Sequence, residues 1–206
     1  MDAHLRAGVA IFNAGGYHAA HDAWEDHWLG LTSGTDDERF LHGLIQYTAA
    51  AHHGEQGNWE GVQGLAESAG EYLDGLPSPY RDVDLEPIRA YLDSLAADPQ
   101  HVELEDPPML RYDGEELRPV DLDFEAAAVA AEVLAGELLG YDEAVVEDAV
   151  RYARDAIDAD RDGRFVALLM DFVGDPANRD LVYQRLRAHV DRRRAEERDV
   201  QGLFDE

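Results

Sequence analysis

Seven of the eight prolines fall between Pro77 and Pro119. Proline lacks the backbone N–H that an inner helical turn needs, and its ring clashes with the turn before it. The chain is thereby divided into two proline-poor stretches free to form long helices, with an interrupted segment between them. The fold class this predicts is all-α: a helical bundle, with a small β-hairpin in the central proline-rich segment, where Asp113-Gly114 sits inside residues 109–118. Three parts follow: a helical domain over 1–76, a connecting segment over 77–122, and a C-terminal helical extension over 123–206 expected to pack on the first domain.

Apolar periodicity fills in the helices. The first spans about residues 2–14 and stops at Gly15-Gly16; the second spans about 17–29. The third, about 36–54, carries Phe40, Leu44, Tyr47 and Ala51 on one face and Leu41, Ile45 and Thr48 beside them. A helix apolar around most of its circumference belongs in the middle of a bundle. A fourth starts after Asn58, a good N-cap, and a short one covers about 84–97 with Asp84 as its cap. Four more are expected over about 124–139, 142–159, 164–173 and 176–197, the last opened by Asp175-Pro176.

Composition bounds the chemistry. The 206 residues include 45 Asp and Glu against 17 basic residues, for a net charge of −28, and every basic residue is Arg. At about 1 M salt the screening length shrinks to about 3 Å, so such a surface stops repelling itself. The expectation is a protein of a salt-accumulating halophile, although lysine-free usage also follows from GC-rich coding. Under that adaptation net charge carries little information about partners, and nucleic acid is not indicated. The run Arg192, Arg193, Arg194 reads as the cationic end of a helix, because Asp191, Glu196 and Glu197 surround it. Without a long apolar run or a basic-then-apolar leader, neither a membrane span nor a signal peptide is predicted, and a cytoplasmic location is expected. With no cysteine, any metal must be held by His, Asp or Glu.

Seven of the nine histidines lie in the first 53 residues. On the second helix His21 and Glu25 are four apart, hence neighbours on one face, and Trp28 extends the stripe by a turn. An imidazole nitrogen and a carboxylate oxygen presented together suit a divalent cation, which needs at least one further ligand. His42, Gln46, Ala49 and His53 share a stripe of the third helix. His52 and His53 point in different directions, and His53 is the preferred third ligand. The candidate catalytic pair is therefore His21 and Glu25; the metal set is His21, Glu25 and His53; the candidate binding residues are Tyr17, Trp28 and Gln46. Asp22 and Asp26 read as solvated acids. An unidentified divalent metal is the one cofactor indicated, with no nucleotide or organic cofactor. The partner would be a small molecule or a protein, a second copy of the chain included. The competing reading has no enzyme: buried imidazole, amide and carboxylate groups must find partners, so these residues form a structural polar network that fixes helix register in an interaction module.

One apparent motif fails inspection. Asp158, Asp160, Asp162 and Gly163 imitate the start of a calcium loop, but Leu169 stands where a bidentate Glu is required. No P-loop, dinucleotide fingerprint or nucleophile motif is present.

Phe12, Gly16-Tyr17, His21, Glu25, Trp28, Phe40-Leu41, Gly43-Leu44-Ile45-Gln46, Ala49-Ala50, His53, Gly57-Asn58 and Gly61 together resemble the DUF309 family of small helical prokaryotic proteins, over about residues 8–75. The resemblance implies a helical fold and a site on the His-x3-Glu-x2-Trp pattern with metal binding as its expected property, and it implies no reaction. Many relatives have Glu directly after the His where this chain has Asp22, and Gln where it has His42, which puts in doubt a role for the residue beside His21.

Overall fold

The computed structural model describes residues 1–103, 106–161 and 163–202. Their architecture is all-α with one small antiparallel hairpin. The helices are α1 (Asp2–Asn13), α2 (Tyr17–Trp28), α3 (Asp36–Glu55), α4 (Trp59–Leu73), α5 (Glu86–Ala97), α6 (Phe124–Glu137), α7 (Glu143–Asp158), α8 (Arg164–Gly174) and α9 (Arg179–Gly202). They divide into two compact units, Met1–Leu122 and Asp123–Glu206.

In the first unit α3 lies between α2 and α4, α1 packs on α2, and α5 on α4. The central position follows from the composition of α3: Phe40, Leu41, Leu44, Ile45, Tyr47, Ala50 and Ala51 are all buried and face more than one neighbour. Its start is fixed by Thr35, whose hydroxyl accepts the Glu38 N–H at 3.3 Å, and by three carboxylates in the first turn. α4 starts in the same way, Asn58 accepting from the Gly61 N–H. Gly8 allows α1 and α2 to touch: the fully buried Trp24 ring lies against its Cα, and the indole donates to the Leu5 carbonyl at 3.2 Å.

The proline-rich segment folds into this unit. Asn13, last residue of α1, donates to the carbonyls of Leu110 and Leu117 at 2.9 Å each and accepts from the Leu110 N–H at 2.7 Å. The hairpin pairs β1 (Arg111–Tyr112) with β2 (Glu115–Glu116) in the register Arg111 to Glu116 and Tyr112 to Glu115. Asp113 and Gly114 both take positive φ, 51° and 79°, which is the twist a two-residue hairpin turn needs.

In the second unit the alanine-rich α6 permits close packing, burying Ala126, Ala127, Ala128, Ala130, Ala131 and Ala135. Leu169, Phe172 and Val173 of α8, Leu186 and Val190 of α9, and Val146, Ala149 and Val150 of α7 complete the core. Pro176 does not begin α9. Residues 176–178 form a turn in which Asp175 binds the Asn178 N–H and side chain, and the helix proper starts at Arg179. Asp162 of the discounted calcium-loop motif lies outside the described residues. Among the described residues no helix is long and apolar enough to cross a membrane.

Candidate functional site

α2 begins directly after the Gly15-Gly16 reversal and buries Ala19, Ala20, Ala23 and Trp24. That packing leaves the opposite stripe half-buried, and it carries His21, Asp22, Glu25 and Trp28. His21, Asp22 and Glu25 each offer one ligand atom, and the three atoms lie within 4.8 Å of one another. The Nδ1 atom of His21 is 3.0 Å from Oδ1 of Asp22, and the other carboxylate oxygen of Asp22 is 3.6 Å from Nδ1 of His18. A carboxylate bonded to one imidazole nitrogen fixes the ring and leaves the far nitrogen as ligand or base.

The neighbouring face of α3 carries a different set. Trp28 donates its indole N–H to Oε1 of Glu38 at 3.0 Å, and Oε2 of the same carboxylate accepts the Gly34 N–H at 3.1 Å. His42 lies one turn on, its ring centroid 4.6 Å from Trp28 and 4.0 Å from Tyr72 of α4. Its Nε2 meets the Gln46 amide nitrogen at 3.1 Å, and its Nδ1 is 3.5 Å from Glu38, an ion-pair distance without hydrogen-bond alignment. Burial pushes the Glu38 carboxyl upward, but the Gly34 N–H, the Trp28 indole and His42 outweigh it and hold the group below its ordinary value. Trp28 and Gln46, proposed from sequence as binding residues beside His21, thus both belong to a relay of Glu38, His42 and Gln46 at four-residue intervals along α3. The spacing of Glu38 from His42 was the available signal for it.

His53 is held elsewhere: its Nδ1 is 2.6 Å from the Asn58 amide nitrogen, at the start of α4. The neighbouring residue faces α2 instead, the His52 ring standing edge-on at 5.6 Å from His18. Tyr17 packs on Phe12 with ring centroids 5.0 Å apart and lines an open cleft of about 400 Å³ with Trp59, Glu55 and Asp106. Burial, then the Glu55 and Asp106 charges, raise its hydroxyl pKa. Asp22 is the site residue that the sequence reading set aside. It follows His21 directly, and only the short reach of both side chains brings the two together.

The chain is similar to an uncharacterized protein of Aquifex aeolicus (strain VF5), with 28% identity over 108 residues. The match takes in 52% of this chain and 31% of that protein, so the chain spans under a third of the relative's length. The family match falls on the helices just described. Residues 5–65, from α1 into α4 and including His21, Asp22, Glu25, Trp28 and the α3 relay, match the model of DUF309, a domain of unknown function.

Proposed function

We propose that the half-buried face of α2 binds a divalent first-row metal ion through His21, Asp22 and Glu25, and that this is the reactive centre of the protein. The observation that carries the reading is the mutual approach of the three ligand atoms within 4.8 Å. One imidazole and two carboxylates form a three-ligand set of the kind catalytic metal sites use, leaving coordination positions open. Donors on one ion stand about 3 to 3.5 Å apart, so binding would draw these side chains closer together by rotation. Such an ion makes bound water a nucleophile near neutral pH, a chemistry suited to hydrolysis of a small substrate. In that scheme Asp22 either joins the ion directly or holds His21 through Nδ1 so that Nε2 faces it, with His18 as its other neighbour.

The acid surplus and lysine-free basic set support a salt-rich cytoplasm as the setting.

Protein purified without a histidine tag and titrated separately with Mn²⁺, Co²⁺ and Zn²⁺ should take up one ion per chain with at least one of them, and Co²⁺ should give a ligand-field spectrum. His21→Ala should abolish both without shifting the melting temperature by more than a few degrees. Absence of stoichiometric uptake with all three ions refutes the proposal. A second reading has its own support in the bond of Trp28 to Glu38 and the stacking of His42 between Trp28 and Tyr72: a non-enzymatic module in which polar groups set helix register. Under it, His21→Ala lowers stability and metal is never held.

A further inference from the structure

The second unit contains a cleft of about 290 Å³ between the end of α7, the start of α8 and the far part of α9. Arg161, just after α7, and Arg164, the first residue of α8, approach it from one side of the chain, and Arg192 and Arg193 come from α9. Four of the chain's 17 basic residues therefore converge on one depression, joined by His189. The lining holds only two carboxylates, Asp155 and Glu196. Guanidinium groups outnumber carboxylates two to one here, whereas over the whole chain acids outnumber bases by 28.

Elsewhere arginines pair with single carboxylates, as Arg81 with Asp37 and Arg118 with Asp121, or bridge two groups, as Arg151 does between Asp148 and Glu197. In the cleft, Arg161 donates from one nitrogen to the Asp155 carbonyl at 3.2 Å, Arg193 pairs with Glu196 at 3.3 Å and lies 3.9 Å from Glu197, and Arg164 is also engaged by a neighbouring group. Each guanidinium has five N–H donors, so these contacts leave donors over. Like charges drawn together repel, and an anion seated among them relieves the repulsion. Arginine forks match the oxygens of a phosphate bidentately.

The lining also has an apolar part made by Tyr152, Ala156 and Phe165, with the Arg193 guanidinium 5.8 Å from the Tyr152 ring centroid. Phe165, half-buried, stands 5.4 Å from Tyr152 and 6.3 Å from His189 by ring centroid. A flat ring on Phe165 would place an attached phosphate toward the guanidinium groups, and the volume lies at the small end of ligand sites. We propose that this cleft binds a small phosphate ester bearing a flat ring, of the mononucleotide class, with Arg164 and Arg192 as phosphate ligands and Phe165 as the ring platform. The site is separate from α2 and lies outside the stretch matching DUF309, so it stands or falls independently of the metal proposal.

The full chain is titrated calorimetrically with adenosine monophosphate, adenosine and inorganic phosphate, in the lowest salt at which far-UV circular dichroism retains the native signal. The expected result is saturable one-to-one binding of the nucleotide, at least tenfold tighter than either fragment. Arg164→Gln with Arg192→Gln should weaken nucleotide binding at least tenfold, and Phe165→Leu should weaken nucleotide but not phosphate. Both positions are exposed, so melting temperature should be unchanged; Arg192→Gln alone, expected to cost severalfold, repeats the test with the smallest disturbance. No saturable binding of any probe, or nucleotide binding indifferent to the double variant, overturns the proposal. So does a single-stranded oligonucleotide bound more tightly than the nucleotide, which would make the surface a nucleic-acid contact.

Discussion

Replacing Gly8 by alanine should unfold the first unit more readily, against the usual effect of that change in a helix. A Cβ on Gly8 would stand 2.1 Å from Nε1, 2.3 Å from Cε2 and 2.7 Å from Cδ1 of Trp24. To restore ordinary contact at about 3.4 Å the indole must retreat by more than about 1 Å, and it is a rigid ring with no exposed surface. Overpacking of this kind costs about 1–3 kcal/mol. The same shift breaks the bond from the indole N–H to the Leu5 carbonyl, leaving buried polar atoms unpaired at about 1–3 kcal/mol. Helix propensity returns about 1 kcal/mol. The net destabilisation is about 3 kcal/mol. For a unit the size of Met1–Leu122, unfolding entropy makes each kcal/mol about 4 °C, so the midpoint should fall by roughly 10 °C. Trp24, Trp28 and Trp59 all lie in this unit, so tryptophan fluorescence in a thermal or denaturant titration reports it alone. Gly64→Ala is the matched control: it sits on exposed α4 with nothing within 4 Å of its Cβ and should raise stability by about 0.5–1 kcal/mol. A Gly8→Ala protein within about 0.5 kcal/mol of the parent would refute the packing argument.

The Glu38 carboxyl titrates below its ordinary value in the folded chain, so the folded state binds its proton less readily than the unfolded one. Its contribution is therefore complete above about pH 4.3, the usual glutamate value, and is lost as pH falls through the lowered folded value. Denaturant titrations should show the deficit of Glu38→Gln, expected near 1 kcal/mol at pH 6, shrinking toward zero at pH 3; a deficit independent of pH would exclude the charge as its source. Salt gives a test of the composition. Because most ion pairs are exposed and local along one helix, they offset little of the repulsion among 45 carboxylates, and the melting temperature should rise by several degrees from 0.1 to 2 M KCl. Equal melting at both concentrations would remove the salt-adaptation reading.

Helix positions were legible because short-range rules decide them. Thr35, Asn58, Asp123 and Asp142 each accept a first-turn N–H, and the hairpin turn falls where Asp113-Gly114 predicts. α9 shows the limit of such rules. Asp175-Pro176 suits a helix start, yet Asp175 also suits an Asx turn, and here the turn wins for three residues because Asn178 supplies a second donor to the same carboxylate. The convergence of Arg161 and Arg164 on Arg192 and Arg193 was hidden for another reason. Read along the sequence, Arg192 and Arg193 are neighbours of Asp191 and Glu196; only the packing of α8 on α9 shows that they face two more arginines.

The candidate metal site turns on a similar competition. His42 and His53 are eleven apart and fall on nearly the same line of α3, so periodicity alone places His53 in the groove with His21. Position along the helix overrides periodicity, because His53 lies in the last turn, where the chain reverses into α4 and Asn58 bonds the imidazole. Gln46 and His42 stay on the groove side, but they bond each other, and Trp28 bonds Glu38. α3 therefore pairs part of its polar set using one residue of α2 and one ring of α4, while Nδ1 of His42 and Oε1 of Gln46 are buried without a hydrogen-bond partner. His21, Asp22 and Glu25 are left outside that network, half-exposed and close to one another. A buried structural network needs its members mutually bonded, whereas a cation site needs ligands that converge with lone pairs still available. Trp28 and Gln46 are bonded within the α3 set, and the metal site proposed above rests on the convergence of His21, Asp22 and Glu25 on α2, with Asp22 in the place the helical period had given to His53.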